Sequence, residues 1–156
     1  MSDQHSASDT DSVEPFETRD GSYTLIDRRR DLHYSSTHGA ADEARHVFVE
    51  GTKLLEQSFP LRVLEFGFGG GINFIQTLRK LINESRSGEL IYHAVEHRPV
   101  SADTVDFHDE PGGSFIRRTL RQLHDSDETV ARSTETFDDD SVRLHLHAID
   151  WRELEI

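Results

Sequence analysis

The chain has 156 residues, 34% of them hydrophobic, a mean hydropathy of −0.64 and a formal charge of −13, a size that fits one domain. The absence of cysteine excludes disulfides, thiolate metal sites and cysteine nucleophiles. No apolar run approaches the ~20 residues needed to span a bilayer, and the polar start lacks the apolar stretch of a signal peptide, so the expected compartment is the cytoplasm.

Residues 1–20 hold six acids against one arginine, and residues 125–141 seven acids against one arginine. These two stretches carry −5 and −6 of the −13, so the charge describes a tail and a loop rather than an acidic core. Residues 1–15 read as a disordered acidic tail. Asp20-Gly21-Ser22 is a turn signal, followed by the strand-like Tyr23-Thr24-Leu25-Ile26. Arg28-Arg29-Arg30, and Arg117 and Arg118 with Arg121, are the local basic runs; a surface run of arginines is most often a solvated face, and these two are the candidates for touching phosphate on an otherwise negative chain.

After His38-Gly39, apolar Ala44, Val47, Phe48, Leu54 and Leu55 have helical spacing, with Gly39 as N-cap and Asp42 and Glu43 in the first turn. Gly51 ends or kinks that helix. These residues, 16–60, form an N-terminal extension of strand and helix. Leu61–Phe66 is a short apolar strand. A helix follows over Ile72–Ile82, with Phe74, Ile75, Leu78 and Ile82 on one side. Glu89–Val95 is a second buried strand ending at Glu96. Ser101 caps a short helix and Ser114–Leu123 forms a longer one. Residues 125–141 read as an acidic loop, and Val142–Ile149 alternates apolar and polar residues as a strand does. This alternation is that of an α/β protein with a mostly parallel, Rossmann-like sheet over residues 61–156.

Chemistry concentrates at Glu65-Phe66-Gly67-Phe68-Gly69-Gly70-Gly71. Glycines between a strand and a helix allow a tight turn and close approach of a ligand to the backbone, and amides at a helix start suit an anionic or electron-rich group. A dinucleotide fingerprint places its glycines as Gly-x-Gly-x-x-Gly; here the pattern is Glu-x-Gly-x-Gly-x-Gly. S-adenosylmethionine has no phosphates, and its ammonium suits a carboxylate such as Glu65, directly or through water. A P-loop is excluded because no Gly-Lys-Ser/Thr follows. Glu96, at the end of the next strand, has the position of an acid that accepts from both ribose hydroxyls, although a strand-end glutamate alone is commonly a surface acid. Asp150 ends the third strand, where it either accepts from an adenine amino group or caps the following turn. Ten histidines invite a metal reading, and His145-x-His147 places two imidazoles on one strand face. No third ligand is evident at zinc spacing, so no metal is expected. No nucleophile elbow or carboxylate pair identifies catalytic residues.

Three runs together are more specific than the glycine loop: Thr18–Leu25 (T-R-D-G-S-Y-T-L), Leu32–Gly51 (L-H-Y-S-S-T-H-G-A-A-D-E-A-R-H-V-F-V-E-G) and L-E-F-G-F-G-G-G-I-N-F. They resemble the bacterial methyltransferase family that completes 5-methylaminomethyl-2-thiouridine at the tRNA wobble position. The resemblance implies a class I S-adenosylmethionine fold and methyl transfer to the aminomethyl nitrogen of tRNA. It puts Gly67, Phe68, Gly69, Gly71 and Asn73 on the cofactor loop, Glu96 on the ribose, and Tyr34, Glu43 and Phe48 at the front of the site. The sequence departs at Gly70, where the family has threonine, and in lacking the family's D-A/G-F-x-P strand near the substrate amine. A C-terminally truncated methyltransferase is therefore expected, without its C-terminal half or a fused oxidoreductase domain. The other readings are a non-catalytic remnant that binds a nucleoside or a partner protein, and a small-molecule methyltransferase.

Overall fold

The computed structural model describes residues 12–105, 107, 109–137 and 140–154. It contains two sheets. The first is antiparallel, in the order β1 (Val13–Glu17), β2 (Tyr23–Asp27), β3 (Leu32–His33). The second has four strands in the order β4 (Leu61–Phe66), β5 (Leu90–Val95), β7 (Asp140–His147), β6 (Val130–Phe137). β4, β5 and β7 are parallel and β6 is antiparallel to β7, which is the mostly parallel α/β sheet the alternation predicts.

Helices α2 (Ile72–Asn83) and α3 (Gly113–His124) pack their apolar stripes on one face of this sheet. Phe74, Ile75, Leu78, Phe115, Ile116 and Leu120 meet Leu61, Tyr92, Leu144 and Leu146 there. Phe74 sits edge-on to Tyr92 with ring centroids 5.1 Å apart. Alternate strand residues project to the opposite face, where Arg62, Leu64 and Phe66 of β4 are exposed. Among the described residues no helix is long and apolar enough to cross a membrane.

Two expectations fail. Val13–Pro15, read as the end of the tail, belong to β1 and pair with Asp27–Leu25 of β2; residues 1–11 lie outside the described residues. The acidic loop over 125–141 contains β6, which zips with β7 from Val130↔His147 to Phe137↔Asp140. Its acids gather at the two ends of the hairpin and hide the alternation between them. Ala131 and Ser133 face the core, and Glu135, the one acid inside the strand, pairs with Arg118 at 3.2 Å. In α2, Leu81 is buried while Ile82 is only partly so, shifting the apolar face by one residue.

The Thr18–Ser22 turn explains how the N-terminal sheet holds the next helix. Helix α1 (Ala40–Glu43) has no side-chain cap of its own at Gly39. Its first amides instead donate across the structure: Ala40 N–H to Thr18 Oγ1 (3.3 Å), Ala41 N–H to Ser22 Oγ (3.0 Å) and Asp42 N–H to Asp20 Oδ2 (3.3 Å). A Cβ at position 39 would lie 2.7 Å from Asp20 Oδ2, so glycine is what lets the turn come this close. The helix continues in wide π-helical turns over Ala44–Glu50, closed by Gly51 N–H donating to His46 C=O at 2.9 Å. Partial burial raises the Asp20 pKa, but hydrogen bonds from Ser22, Thr18 and the Asp42 amide outweigh this and bring it down to about 2. Ionised Asp20 therefore stabilises the fold above the ordinary carboxylate range, and that contribution is lost as pH falls through about 2. Asp20→Ala is expected to lower stability by roughly 1 kcal/mol, the value of a helix cap, with Asp20→Asn losing less. Urea denaturation at pH 7 checks this, and equal midpoints for wild type and Asp20→Ala would refute the capping role.

Candidate cofactor site

β4 leaves the sheet at its C-terminal end, where Gly67 N–H donates to Val95 C=O at 2.8 Å. The chain then turns through Gly67–Gly71 into α2. Gly67, Gly69 and Gly71 have φ values of 84°, 54° and 86°, a region that residues with a Cβ seldom adopt. At Gly69 the constraint is also one of contact, since a Cβ there would come within 3.1 Å of Tyr34 Cδ1.

The loop forms one wall of a cavity of about 630 Å³. Gly67–Gly70, Phe66, Ile72 and Asn73 line this wall, with Glu96 beside them. Tyr23, Leu25, His33 and Tyr34 close it from the N-terminal sheet, Glu43 and Phe48 from the helix after Gly39, and Thr104, Val105 and Phe107 from beyond β5. Glu96 Oε2 accepts from Gly69 N–H at 3.1 Å and Oε1 accepts from Arg98 N–H at 3.0 Å. These two bonds fix the carboxylate against the loop and use about half of its lone-pair positions. Among the described residues, the lining carries the carboxylates of Glu43 and Glu96 and no lysine or arginine.

Glu65 lies behind this wall and does not line the cavity. It is 8% exposed, accepts from Asn73 Nδ2 at 2.6 Å and from the Tyr92 hydroxyl at 2.9 Å, and thereby aims the Asn73 amide. Burial pushes its pKa up; the two hydrogen bonds oppose this and Glu96 adds to it, leaving it at about 7. Gly71 also stays out of the lining, because it packs against Ile116 and Phe68. Asp150 is not brought to the cavity. Its Oδ1 accepts from Arg152 N–H at 3.0 Å, capping the turn Trp151–Glu153, and its carboxylate pairs with the Arg152 guanidinium, which holds it well below the usual carboxylate range. Of the two roles open to Asp150, capping is the one this geometry displays.

The sequence reading missed Tyr92 and Phe107. Tyr92 stands two residues before Ala94, the register partner of Glu65, and so shares its face of the sheet. That signal was available once β4 and β5 were paired. Phe107 follows the Ser101-capped turn and carries no local pattern that would single it out.

No family model matches the chain. Over part of its length it is similar to proteins named tRNA 5-methylaminomethyl-2-thiouridine biosynthesis bifunctional protein MnmC. The protein from Leptospira borgpetersenii serovar Hardjo-bovis is 33% identical over 87 residues, covering 52% of this chain and 13% of that protein. The one from Magnetococcus marinus is 40% identical over 74 residues, covering 45% and 11%. The chain thus resembles MnmC proteins while matching a small fraction of their length. Its fold is similar to that of the crystal structure of MNMC2 from Aquifex aeolicus, with a TM-score of 0.59 and 24% identity, over 92% of this chain and 46% of that one.

Proposed function

We propose that the cavity binds S-adenosylmethionine and that the chain is the cofactor-binding part of a methyltransferase acting on the aminomethyl group of a tRNA wobble uridine. The observation that carries this reading is a nucleoside-sized cavity with Glu96 fixed at the glycine loop and, among the described residues, no lysine or arginine in its lining. A dinucleotide or nucleoside triphosphate would set its phosphates against the carboxylates of Glu43 and Glu96, an unfavourable like-charge contact. A phosphate-free nucleoside bearing an ammonium and a sulfonium meets those same acids favourably.

The residues fit such a ligand. Glu96 retains acceptor capacity for two ribose hydroxyls. The glycine backbone admits close approach, and the Asn73 amide, held by Glu65, offers a donor for a carboxylate. When bound, S-adenosylmethionine supplies a methyl group on a positively charged sulfur that an amine displaces. Holding donor and acceptor in line is a major contribution a protein makes to such a step. At the cavity, Tyr34, Phe48 and Phe66 are 40%, 46% and 57% exposed, and exposed aromatic faces are what proteins use to stack an unpaired base. The MnmC names, with their tRNA thiouridine product, support the choice of acceptor.

The test is transfer of labelled methyl from S-adenosylmethionine to tRNA whose wobble uridine carries the aminomethyl group. Label in the wobble nucleoside is the expected outcome. Label only in free small amines would replace tRNA by a small-molecule acceptor.

A further inference from the structure

The cavity suits a nucleoside but offers little to a phosphodiester backbone, since among the described residues its lining has no lysine or arginine. Nor are the arginine runs of the sequence free to meet phosphate. Arg28, Arg30, Arg118 and Arg121 pair with Glu14, Asp27, Glu135 and Asp103. Arg62 and Arg132 differ: both are exposed and, among the described residues, neither forms an ion pair.

Both arginines stand on the face of the four-stranded sheet opposite α2 and α3. One row across that face runs Leu64, His93, His145, Arg132. Arg62 precedes Leu64 by two residues, and Phe66 and His147 follow Leu64 and His145 by two. From Arg62 to Phe66 and across their register partners, no carboxylate occupies this face; Arg143, also on it, is tied to Glu89. His93 Nδ1 and His147 Nε2 share a hydrogen bond at 3.1 Å, which leaves the other nitrogen of each ring, and both of His145, without a protein partner. Burial, and then Arg62 and Arg132, lower the pKa of His93. Burial lowers those of His145 and His147 as well, with His93 and Arg132 adding to it. No acid contributes at any of the three, so the positive field over the imidazoles is unrelieved.

We propose that this face docks the phosphate backbone of an RNA strand, with Arg62 and Arg132 meeting phosphates and the three imidazoles donating between them. The choice of RNA rests on the acceptor reading above. Strands lie about 4.8 Å apart, so β4 and β6 place the two arginines roughly 14 Å apart across the sheet. That spacing suits successive phosphates of a strand better than one small anion. Phe66 joins the face to the cavity, because it ends β4 on this side, is 57% exposed and lines the cavity mouth. A backbone laid over the imidazoles can therefore turn a base past Phe66 toward the cofactor, the division of labour by which phosphate contacts position and base contacts select.

Titration of the folded chain with an unmodified tRNA transcript, followed by fluorescence anisotropy between about 50 and 200 mM salt, tests the proposal. Saturable binding is expected. The double variant Arg62→Ala/Arg132→Ala should bind at least tenfold more weakly and show a salt slope smaller by about 1.4 to 1.8, the value of two phosphate contacts. Arg121→Ala, whose charge Asp103 already meets, should stay within twofold of wild type. Circular dichroism confirms that each variant is folded. Absence of binding by folded wild type, or affinity and slope unaltered in the folded double variant, would overturn the docking face. Displacement of tRNA by inorganic phosphate at matched ionic strength would overturn it in favour of a small-anion site, and poly-glutamate binding as tightly as tRNA in favour of an acidic protein. The double variant should bind S-adenosylmethionine as wild type does, which separates failure of this face from failure of the cofactor reading.

Discussion

Glu96→Ala is expected to weaken S-adenosylmethionine binding roughly 150-fold while the protein remains folded. Glu96 is only partly buried and contributes no apolar contact to the core. Its carboxylate instead gathers the loop, accepting from Gly69 N–H and Arg98 N–H. Two ribose hydroxyls donating to the same group would each form a charge-assisted hydrogen bond, of about 1.5 kcal/mol at the lower end of the usual range. Their joint loss, about 3 kcal/mol, corresponds to roughly 150-fold in affinity. Glu96→Gln keeps one acceptor oxygen and the shape of the side chain, and should lose about tenfold. Calorimetric titration of the three proteins measures the series. Equal affinities would remove Glu96 from the ligand's contacts.

The second large effect is a dependence of stability on pH that runs opposite to that of the exposed acids. Glu65 titrates at about 7 in the folded chain against an ordinary value of 4.5. Between those values the folded state holds a proton that the unfolded state has released. Stability therefore falls as pH rises from about 4.5 to about 7 and then levels. The full span is about 3 kcal/mol. The dominant cause is burial, which hydrogen bonds from Asn73 and Tyr92 only partly offset. Glu65→Gln carries no charge at any pH, so it should lose this fall in stability and exceed wild type at pH 8, the difference between the two proteins widening from pH 5 to pH 8. Urea denaturation at pH 5 and pH 8 measures both proteins. A wild-type minus Glu65→Gln difference that does not change between pH 5 and pH 8 would contradict a buried carboxylate with a raised pKa at position 65.

How far the sequence reveals the fold depends on what each segment's pattern encodes. β4, α2 and β5 were legible to within a residue or two because a continuous apolar run or a period near 3.6 declares itself locally. β6 was not, since acids flanking the hairpin dominated its composition. The remote capping of α1 by Thr18, Asp20 and Ser22 joins residues about twenty positions apart, a pairing no local pattern carries. Among the site residues, Gly67, Gly69, Asn73 and Glu96 line one cavity. Glu65 is expected from the sequence to serve a ligand ammonium directly or through water, and Asp150 either to accept from an adenine amino group or to cap the following turn. The structure turns Glu65 inward to Tyr92 and Asn73 and turns Asp150 onto Arg152. Strand position alone does not decide whether a carboxylate faces a ligand, because that depends on which partners the neighbouring strand and the following turn provide.

The cavity, acidic at Glu43 and Glu96 and without lysine or arginine among its described residues, is expected to select a cationic, phosphate-free nucleoside. The most direct test is a pair of calorimetric titrations of the folded chain, one with S-adenosylmethionine and one with NAD⁺. Saturable binding of one S-adenosylmethionine per chain with no heat from NAD⁺ is the predicted result. No binding of S-adenosylmethionine by folded protein, or tighter binding of NAD⁺, would contradict it.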